Sequence, residues 1–423
     1  MKKIFKNSLW IFFLLITALF LPASISQHAQ TADRSIAIAI GFDKLAESQY
    51  EVSAEIIVPR YQSTYSQNAQ VISATGVNTC EAFNELSTHL GKVTGLSHVS
   101  AVVLGNSLKD ENIINSIDMI LRNKRVNYNA QLIFTESTAK DVLKKAVEID
   151  TNFIQNLNEI VQYNNNFIFT KTSLISNFYK TYCEGYGATF VPFINLLSND
   201  YDGISGNSSS QSNDSSGGGQ SQSSGSEGGE SGGQQDQSKQ KYLSNNGKTA
   251  IVKNGNYLAS VESEQMKGFG LLTNESNRGL ITVKNITDDF LANADVVVSI
   301  RDRKETAVVS FSKTGIPQVH YTMNFNLKIE DIINGTFNPR IANSSRNYFT
   351  KQFKDAFEGT IKNYCGDAIN ICKTYNADVL NIYTKFDRFA HEKWQKYLKS
   401  LPNPDDYLQN VEFFMDIRVM DND

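Results

Sequence analysis

Apolar and polar positions alternate with a period of two over much of the first part of this chain. Ile36–Ile40, Tyr50–Val58 and Ala69–Val77 read as strands, the second stopped by Pro59. Thr79–Leu90 follows as a short amphipathic helix with Thr79 as candidate cap. His98–Leu104 is a compact apolar strand, Ser107–Leu121 a helix with Ile113, Ile117, Ile120 and Leu121 on one face, and Ala130–Phe134 another strand. Ser137 or Thr138 can cap the helix that runs through Val147. Residues 151–182 read as helices, with Phe153, Ile154, Leu157, Ile160 and Val161, then Leu174 and Phe178, three or four apart. Ala188–Leu197 reads as a strand interrupted by Pro192, which suits a sheet edge.

The pattern resumes at Lys248. Asn254-Gly255 sits between two alternating apolar segments, a strong hairpin signal because both residues adopt positive φ. A polar helical turn, Glu262–Lys267, is expected to end at Gly268, and strands follow at Leu280–Val283, Ala294–Ile300, Thr306–Phe311 and Gln318–Ile329. Residues 341–375 carry the longest helical pattern, with Phe349, Phe353, Phe357, Ile361, Tyr364, Ala368 and Cys372 along one stripe. A second helix over Arg388–Leu401 and a closing strand over Val411–Val419 complete the chain.

These elements predict an α+β protein: a mixed α/β N-terminal region, then an antiparallel sheet packed on a long helix. Between them lies a different composition. Gly, Ser and Gln fill 30 of the 38 positions from 203 to 240. Such a tract buries too little apolar surface to offset its ordering entropy, so it is expected to be a disordered spacer of about 35 Å end to end. The expected organisation is a leader at 1–30, an N-terminal domain at 31–200, a linker at 201–244 and a C-terminal domain at 245–423. That last domain divides, on a second reading, into a hairpin subdomain at 245–290 and the rest at 291–423.

The leader changes the expected address. Lys2, Lys3 and Lys6 precede Leu9–Leu21, thirteen residues of nearly unbroken apolar character, and Pro22 with the small residues Ala23, Ser24 and Ser26 follows. Thirteen helical residues span about 20 Å, short of the roughly 30 Å hydrocarbon core, so cleavage near Ser26 and an uncleaved anchor both stay open. Either way the body of the chain is expected beyond the membrane. The 40 Lys+Arg against 44 Asp+Glu leave a formal charge of −4 with no basic stripe along the chain, so nucleic acid is not an expected partner.

The search for chemistry returns little. Cys365 and Cys372 lie seven apart on a helix, about 10.5 Å along its axis and beyond disulfide reach, while Cys80 and Cys183 could pair only if the fold brings them together. His391 opens HEKWQ, half of a zinc motif, with Gln395 where the second ligand belongs. His98 is expected to be a structural histidine satisfying nearby backbone, and Gly268-Phe269-Gly270 a turn and not a phosphate cradle. Asp288-Asp289 and Asp405-Asp406 read as solvated loop residues. No catalytic residue, cofactor site or metal site is predicted, and no enzymatic activity is expected.

Three stretches, in order, resemble the Ger(x)C family, the C subunit of spore germinant receptors. IAIAIGFDKLAESQYEVSAEIIVPR is similar to the family's strand, Gly-x-Asp turn and second strand, with Gly41 and Asp43 at the turn. GLSHVSAVVLGNSLKDENIINSIDMILRNKRVNYNAQLIFTESTAKDVL is similar to its next strand–helix–strand–helix run, with His98 and Arg122 at matching positions. TAIVKNGNYLASVESEQMKG, NADVLNIY, Trp394 and the final strand resemble its C-terminal hairpin, helix and closing elements.

The resemblance implies a multi-domain, non-enzymatic protein on the outer face of the spore inner membrane. Its implied partners are the multi-pass A-type and B-type receptor subunits and the membrane surface, its implied role assembly or stability of the receptor. Whether it touches the small-molecule germinant is left open. Two departures matter. The first cysteine is Cys80, so the family's usual lipid-bearing Cys at the end of the leader is missing. Gln265 stands where the family has Glu, and Asn381 and Tyr383 where it has glycines, which puts in doubt the local turn and any role tied to that Glu. The rival readings are an exported cell-envelope binding or scaffold protein outside germination and, more distantly, an exported hydrolase.

Overall fold

The computed structural model describes residues 34–57, 69–91, 93–123, 126–149, 172–197, 242–244, 247–273, 278–288, 291–333 and 349–420. The leader, the helical pattern at 151–161, the Gly/Ser/Gln tract, Asp289 and the start of the 341–375 pattern lie outside the described residues.

The first sheet starts from a long hairpin. β1 (Arg34–Ala46) pairs antiparallel with β2 (Gln49–Ile57), and β2 with β3 (Ala69–Gly76). On the other side β4 (Val93–Gly95) and β5 (Ala101–Leu104) run parallel to β1, and β6 (Gln131–Phe134) parallel to β5. All four residues of β5 and all four of β6 are buried, as continuous apolar runs covered on both faces should be. Helices α1 (Thr79–Leu90) and α2 (Ile113–Arg122) cover one face over Ile40, Phe42, Val52, Leu104 and Ile117. Helix α3 (Ala139–Ile149) covers the other over Ala39, Val103, Ile133 and Leu143.

Several local expectations change. Gly41 and Asp43 are not at a turn but inside β1, the turn falling at Glu47-Ser48. Gly41 is where α3 lies closest: a Cβ there would come within 2.8 Å of Ala139 Cβ. Asp43 accepts from the backbone N–H of Ala139 at 2.8 Å and of Lys140 at 3.1 Å, so a strand carboxylate caps a helix far away in sequence. Burial pushes the Asp43 carboxyl up while those two amides pull it back. Thr138 supplies the local cap, its hydroxyl accepting from Asp141 N. In α1 the cap is Asn78 and not Thr79, and the expected Ser107–Leu121 helix is a 3-10 turn at Asn106–Leu108 followed by α2, started by Asn112. His98 is exposed in the turn ahead of β5 instead of serving buried backbone.

Helix α4 (Ile175–Glu184) ends at Gly185, which takes the left-handed conformation at φ 80°. The expected 188–197 strand is two, β7 (Ala188–Pro192) and β8 (Asn195–Leu197), the latter paired with β9 (Tyr242–Ser244). β10 (Thr249–Lys253) and β11 (Asn256–Val261) form the expected hairpin around Asn254 and Gly255, both at positive φ. β7 joins β10 antiparallel, giving the order β11-β10-β7, with Pro192 on the edge strand.

Helix α5 (Ser263–Leu272) does not stop at Gly268 but runs through Gly268-Phe269-Gly270, and the helix behind it explains why. α6 (Lys351–Thr374) approaches so closely that a Cβ on Gly268 would stand 1.9 Å from the Tyr364 carbonyl oxygen. β12 (Gly279–Ile286), β13 (Ala294–Phe311) and β14 (Pro317–Ile333) form the antiparallel sheet, and β15 (Glu412–Val419) closes it parallel to β14. β13 is one strand where two were expected: bulges at Val297/Val298 and Ile300/Asp302 carry pairing through the charged stretch and turn Arg303 inward. Phe353, Phe357, Ile361, Cys365 and Ala368 of α6 pack on this sheet, Phe357 edge-on to Phe325 at 5.2 Å. The last helical region is α7 (Ile382–Phe389) and α8 (His391–Ser400), broken at Ala390, not one helix from Arg388.

A buried carboxyl on β2 lacks compensation. Glu55 on β2 lies between Ala39 and Val71 under α3, fully buried, and among the described residues neither carboxylate oxygen has a hydrogen-bond partner. Burial raises its pKa from 4.5 to about 7. The folded state therefore holds a proton that the unfolded chain releases at lower pH, so stability falls as pH rises from about 4.5 to about 7 and is flat above. Glu55→Gln is expected to remove that slope, worth roughly 3 kcal/mol, and to raise stability at pH 8. Urea unfolding of both proteins at pH 5 and pH 8 checks this.

Candidate functional site

The two halves meet on the three-stranded sheet. Ala250, Val252 and Val191 face the N-terminal core, whereas Ile251, Ala188 and Phe190 face the C-terminal one. Period-two alternation here serves two cores at once. Phe193, just past β7, stacks on Phe134 at 5.5 Å, and Phe190 meets Phe269 of α5 edge-on at 4.9 Å. Asn112 adds a polar clamp: its amide donates to the Asn254 carbonyl at 2.9 Å, and Ile113 N donates to the Gly255 carbonyl at 2.8 Å. A Cβ on Gly255 would strike the Asn112 side chain at 2.4 Å.

A second junction is built on Asp378. Its Oδ1 accepts from Ile382 N at 2.8 Å, and its Oδ2 from Tyr383 N at 2.7 Å and from the Tyr407 hydroxyl at 2.8 Å. Burial pushes the Asp378 carboxyl up, and these three donors oppose the shift. The same residue's carbonyl accepts from Ala188 N at 3.2 Å, so the loop ahead of α7 holds the start of β7. Tyr186 stacks on Tyr383 with centroids 3.7 Å apart, and Trp394 lies against Phe386, Tyr397, Tyr383 and Tyr407. The helix bearing Gly268 is held in a third way: Arg303 donates from Nη1 to the Leu271 carbonyl at 2.5 Å and from Nη2 to those of Gly270 and Thr273 at 3.1 Å. A buried guanidinium thus closes the C-terminus of α5.

Beside the Asp378 junction lies an open cleft of about 210 Å³, lined by Asn177, Lys180, Thr181 and Glu184 of α4, Thr189 and Phe190 of β7, and Val379 and Asn381. Lys180 and Glu184 are 3.9 Å apart and face each other. The cleft offers amides, hydroxyls and the Lys180–Glu184 ion pair, groups that can hold a small polar ligand by hydrogen bonds.

The residues singled out by sequence do not converge. His391 Nδ1 pairs with Asp387 at 2.8 Å and Gln395 bonds the same carboxylate, all on the outer side of α7 and α8. Among the described residues no group of three or more His, Cys, Asp or Glu could hold a metal ion. Cys80 and Cys183 are free and exposed, and burial pushes the Cys365 thiol up to about 12 and Cys372 higher still. Asp288 is more than a solvated loop residue: it accepts from Leu291 N and from the Thr350 hydroxyl at the head of α6, both at 2.9 Å. Asp405 and Asp406 are exposed, as expected. Arg122 is exposed and pairs with Asp118 one turn back.

Two of the three doubtful positions, Gln265 and Asn381, have defined local roles. Gln265 accepts from Glu262 N at 3.1 Å, completing a capping box that Gln serves as well as Glu. Asn381 takes φ 55°, a left-handed conformation that Asn tolerates where glycine would be at ease. The Asp378 cap and the Arg303 clamp were missed because no local pattern marks them: Asp378 sits in the mixed run Asn376–Asn381, and Arg303 in a charged stretch whose acceptors lie about thirty positions earlier.

Two substitutions probe these junctions. Asp378→Ala leaves two buried N–H groups without an acceptor and the Tyr407 hydroxyl with only the Tyr186 carbonyl at 3.3 Å, and is expected to cost on the order of 3 kcal/mol in urea unfolding. Gly268→Ala forces α5 away from α6 and is expected to cost on the order of 2 kcal/mol. Glycine-to-alanine replacement at an unconstrained helix position would instead stabilise by up to about 1 kcal/mol, so the sign of the change is the test.

Comparison with known proteins adds the family. No curated protein matches the chain. A solved structure described as "Crystal Structure of the GerBC protein" aligns with 11% identity and a TM-score of 0.48, covering 90% of this chain and 96% of that one. The family described as "Spore germination protein N-terminal domain" matches residues 28–196, and that described as "Spore germination B3/ GerAC like, C-terminal" matches residues 247–419. With both halves matched in order on either side of the Gly/Ser/Gln tract, the chain belongs to the Ger(x)C family of spore germination proteins.

Proposed function

We propose that this chain is the non-enzymatic C-type subunit of a spore germinant receptor. It works by holding the receptor together beside the multi-pass A-type and B-type subunits on the outer face of the spore inner membrane. The observation that carries this reading is the ordered pair of family matches over residues 28–196 and 247–419. Physical support comes from where the ionisable groups are spent: Asp43, Arg303 and Asp378 each bind helix ends, which is the chemistry of a rigid platform and not of turnover. Residues 201–244 then act as a spacer outside the platform, and the leader or the partner subunits tether the chain to the membrane. Among the described residues no helix is long and apolar enough to cross a bilayer.

Isolation of the chain from membranes of sporulating cells is expected to bring the A-type and B-type subunits with it. Deleting the gene should abolish germination with the nutrients that receptor serves and lower the amount of the other two subunits in the spore membrane. Unchanged germination together with unchanged subunit levels would sink the reading. Removing residues 203–240 is expected to leave co-isolation intact.

A further inference from the structure

Ile382, Phe386 and Phe389 are spaced four and three apart, the spacing of one helix face. Ile382 and Phe386 are fully buried, yet Phe389 is 70% exposed, the most exposed large hydrophobic side chain among the described residues. The break at Ala390 is what leaves it uncovered, because α8 turns away just as the apolar stripe reaches its third member. Arg388 lies over the Phe389 ring, 5.4 Å from its centroid.

The adjoining surface is cationic. On α8, Trp394 and Leu398 point into the core, and Lys393, Lys396 and Lys399 are exposed at the three-residue spacing that lines the opposite face. Among the described residues no salt bridge engages these three lysines. Residues 382–400 carry the exposed Arg388, Lys393, Lys396 and Lys399 against Asp387 and Glu392, on a chain whose overall charge is −4, while Lys385 is turned inward to the Leu380 carbonyl. Asp387 is already committed to His391 and Gln395. Phe311 packs against both Phe386 and Tyr397, which brings the β13–β14 turn, with exposed Lys313 and Ile316, to the same end.

We propose that this end of the C-terminal half docks onto an anionic phospholipid surface, Phe389 entering the headgroup layer and the lysines facing lipid phosphates. A single uncovered aromatic ring inside a cationic fringe matches a surface that is negative outside and apolar just beneath. The proposal rests on the membrane-side placement given above and adds the surface that meets the bilayer.

Position 389 can report on this directly. In the full chain, Phe389→Trp adds a third tryptophan to Trp10 and Trp394, and the fluorescence gained over the parent is followed in vesicles whose acyl chains carry bromine quenchers. Quenching is expected with phosphatidylglycerol mixed into phosphatidylcholine, relief at high salt, and little quenching with phosphatidylcholine alone. Lys393→Gln, Lys396→Gln and Lys399→Gln in the same protein should weaken docking roughly a hundredfold, about fivefold per lysine. An unchanged thermal midpoint shows that the variants are folded. No quenching in either vesicle, or equal quenching in both, overturns the proposal, as does protection of position 389 that appears only when the multi-pass subunits are added. Loss of quenching with co-isolation of those subunits preserved overturns this surface alone and leaves the receptor reading standing.

Discussion

The pairing of β7 with β10 is the constraint on which the rest depends. It joins Ala188–Pro192 to Thr249–Lys253 across the whole Gly/Ser/Gln tract, and the small sheet it forms has no face left for solvent. Ile251 belongs to one core and its neighbours Ala250 and Val252 to the other, so a one-residue slip of register would exchange the two sets. Register is held from both sides, by Asn112 gripping the hairpin turn and by Asp378 gripping the start of β7. The two halves are thereby fixed to one strip of backbone, and movement of either against the other would break pairing, packing and clamps together.

Three buried ionisable side chains perform one kind of work. Asp43 closes the N-terminus of α3, Asp378 that of α7, and Arg303 the C-terminus of α5. Each sign matches the helix end it meets, anions at N-termini and the cation at a C-terminus. Each also reaches its helix from another element, so the cap doubles as a tertiary tie. A buried charge is costly unless fully bonded, and here the bonding partners are backbone groups that would otherwise be orphaned. Glu55 differs, a buried carboxyl under α3 with no such duty.

Much of this architecture was legible in the sequence. The Asn254-Gly255 hairpin, the aromatic stripe of α6, the buried runs of β5 and β6 and the amphipathic faces of α1 and α2 follow from local period and turn chemistry. What was not legible is set by distant contacts. Gly268 looks like a helix stop until α6 is seen 1.9 Å from where its Cβ would be. Gly41 and Asp43 look like turn residues because their real partner, α3, begins almost a hundred positions later. Arg301–Glu305 looks like a break in β13 because no local rule foresees bulges that turn a charged residue inward to serve another helix. For the cleft, the lining residues come from three separated segments and are individually ordinary, so no motif could announce it.

The departures from the family pattern follow the same logic. Here a Gln completes the capping box of α5 and an Asn holds a left-handed φ ahead of α7, so both positions do their local work with the residues this chain has. At Tyr383 the extra bulk is used, since its ring fills the space between Tyr186 and Trp394 and joins the two halves. Asp43, Arg303 and Asp378 are thus tied to helix ends inside the protein, while Lys393, Lys396 and Lys399 stand exposed on α8.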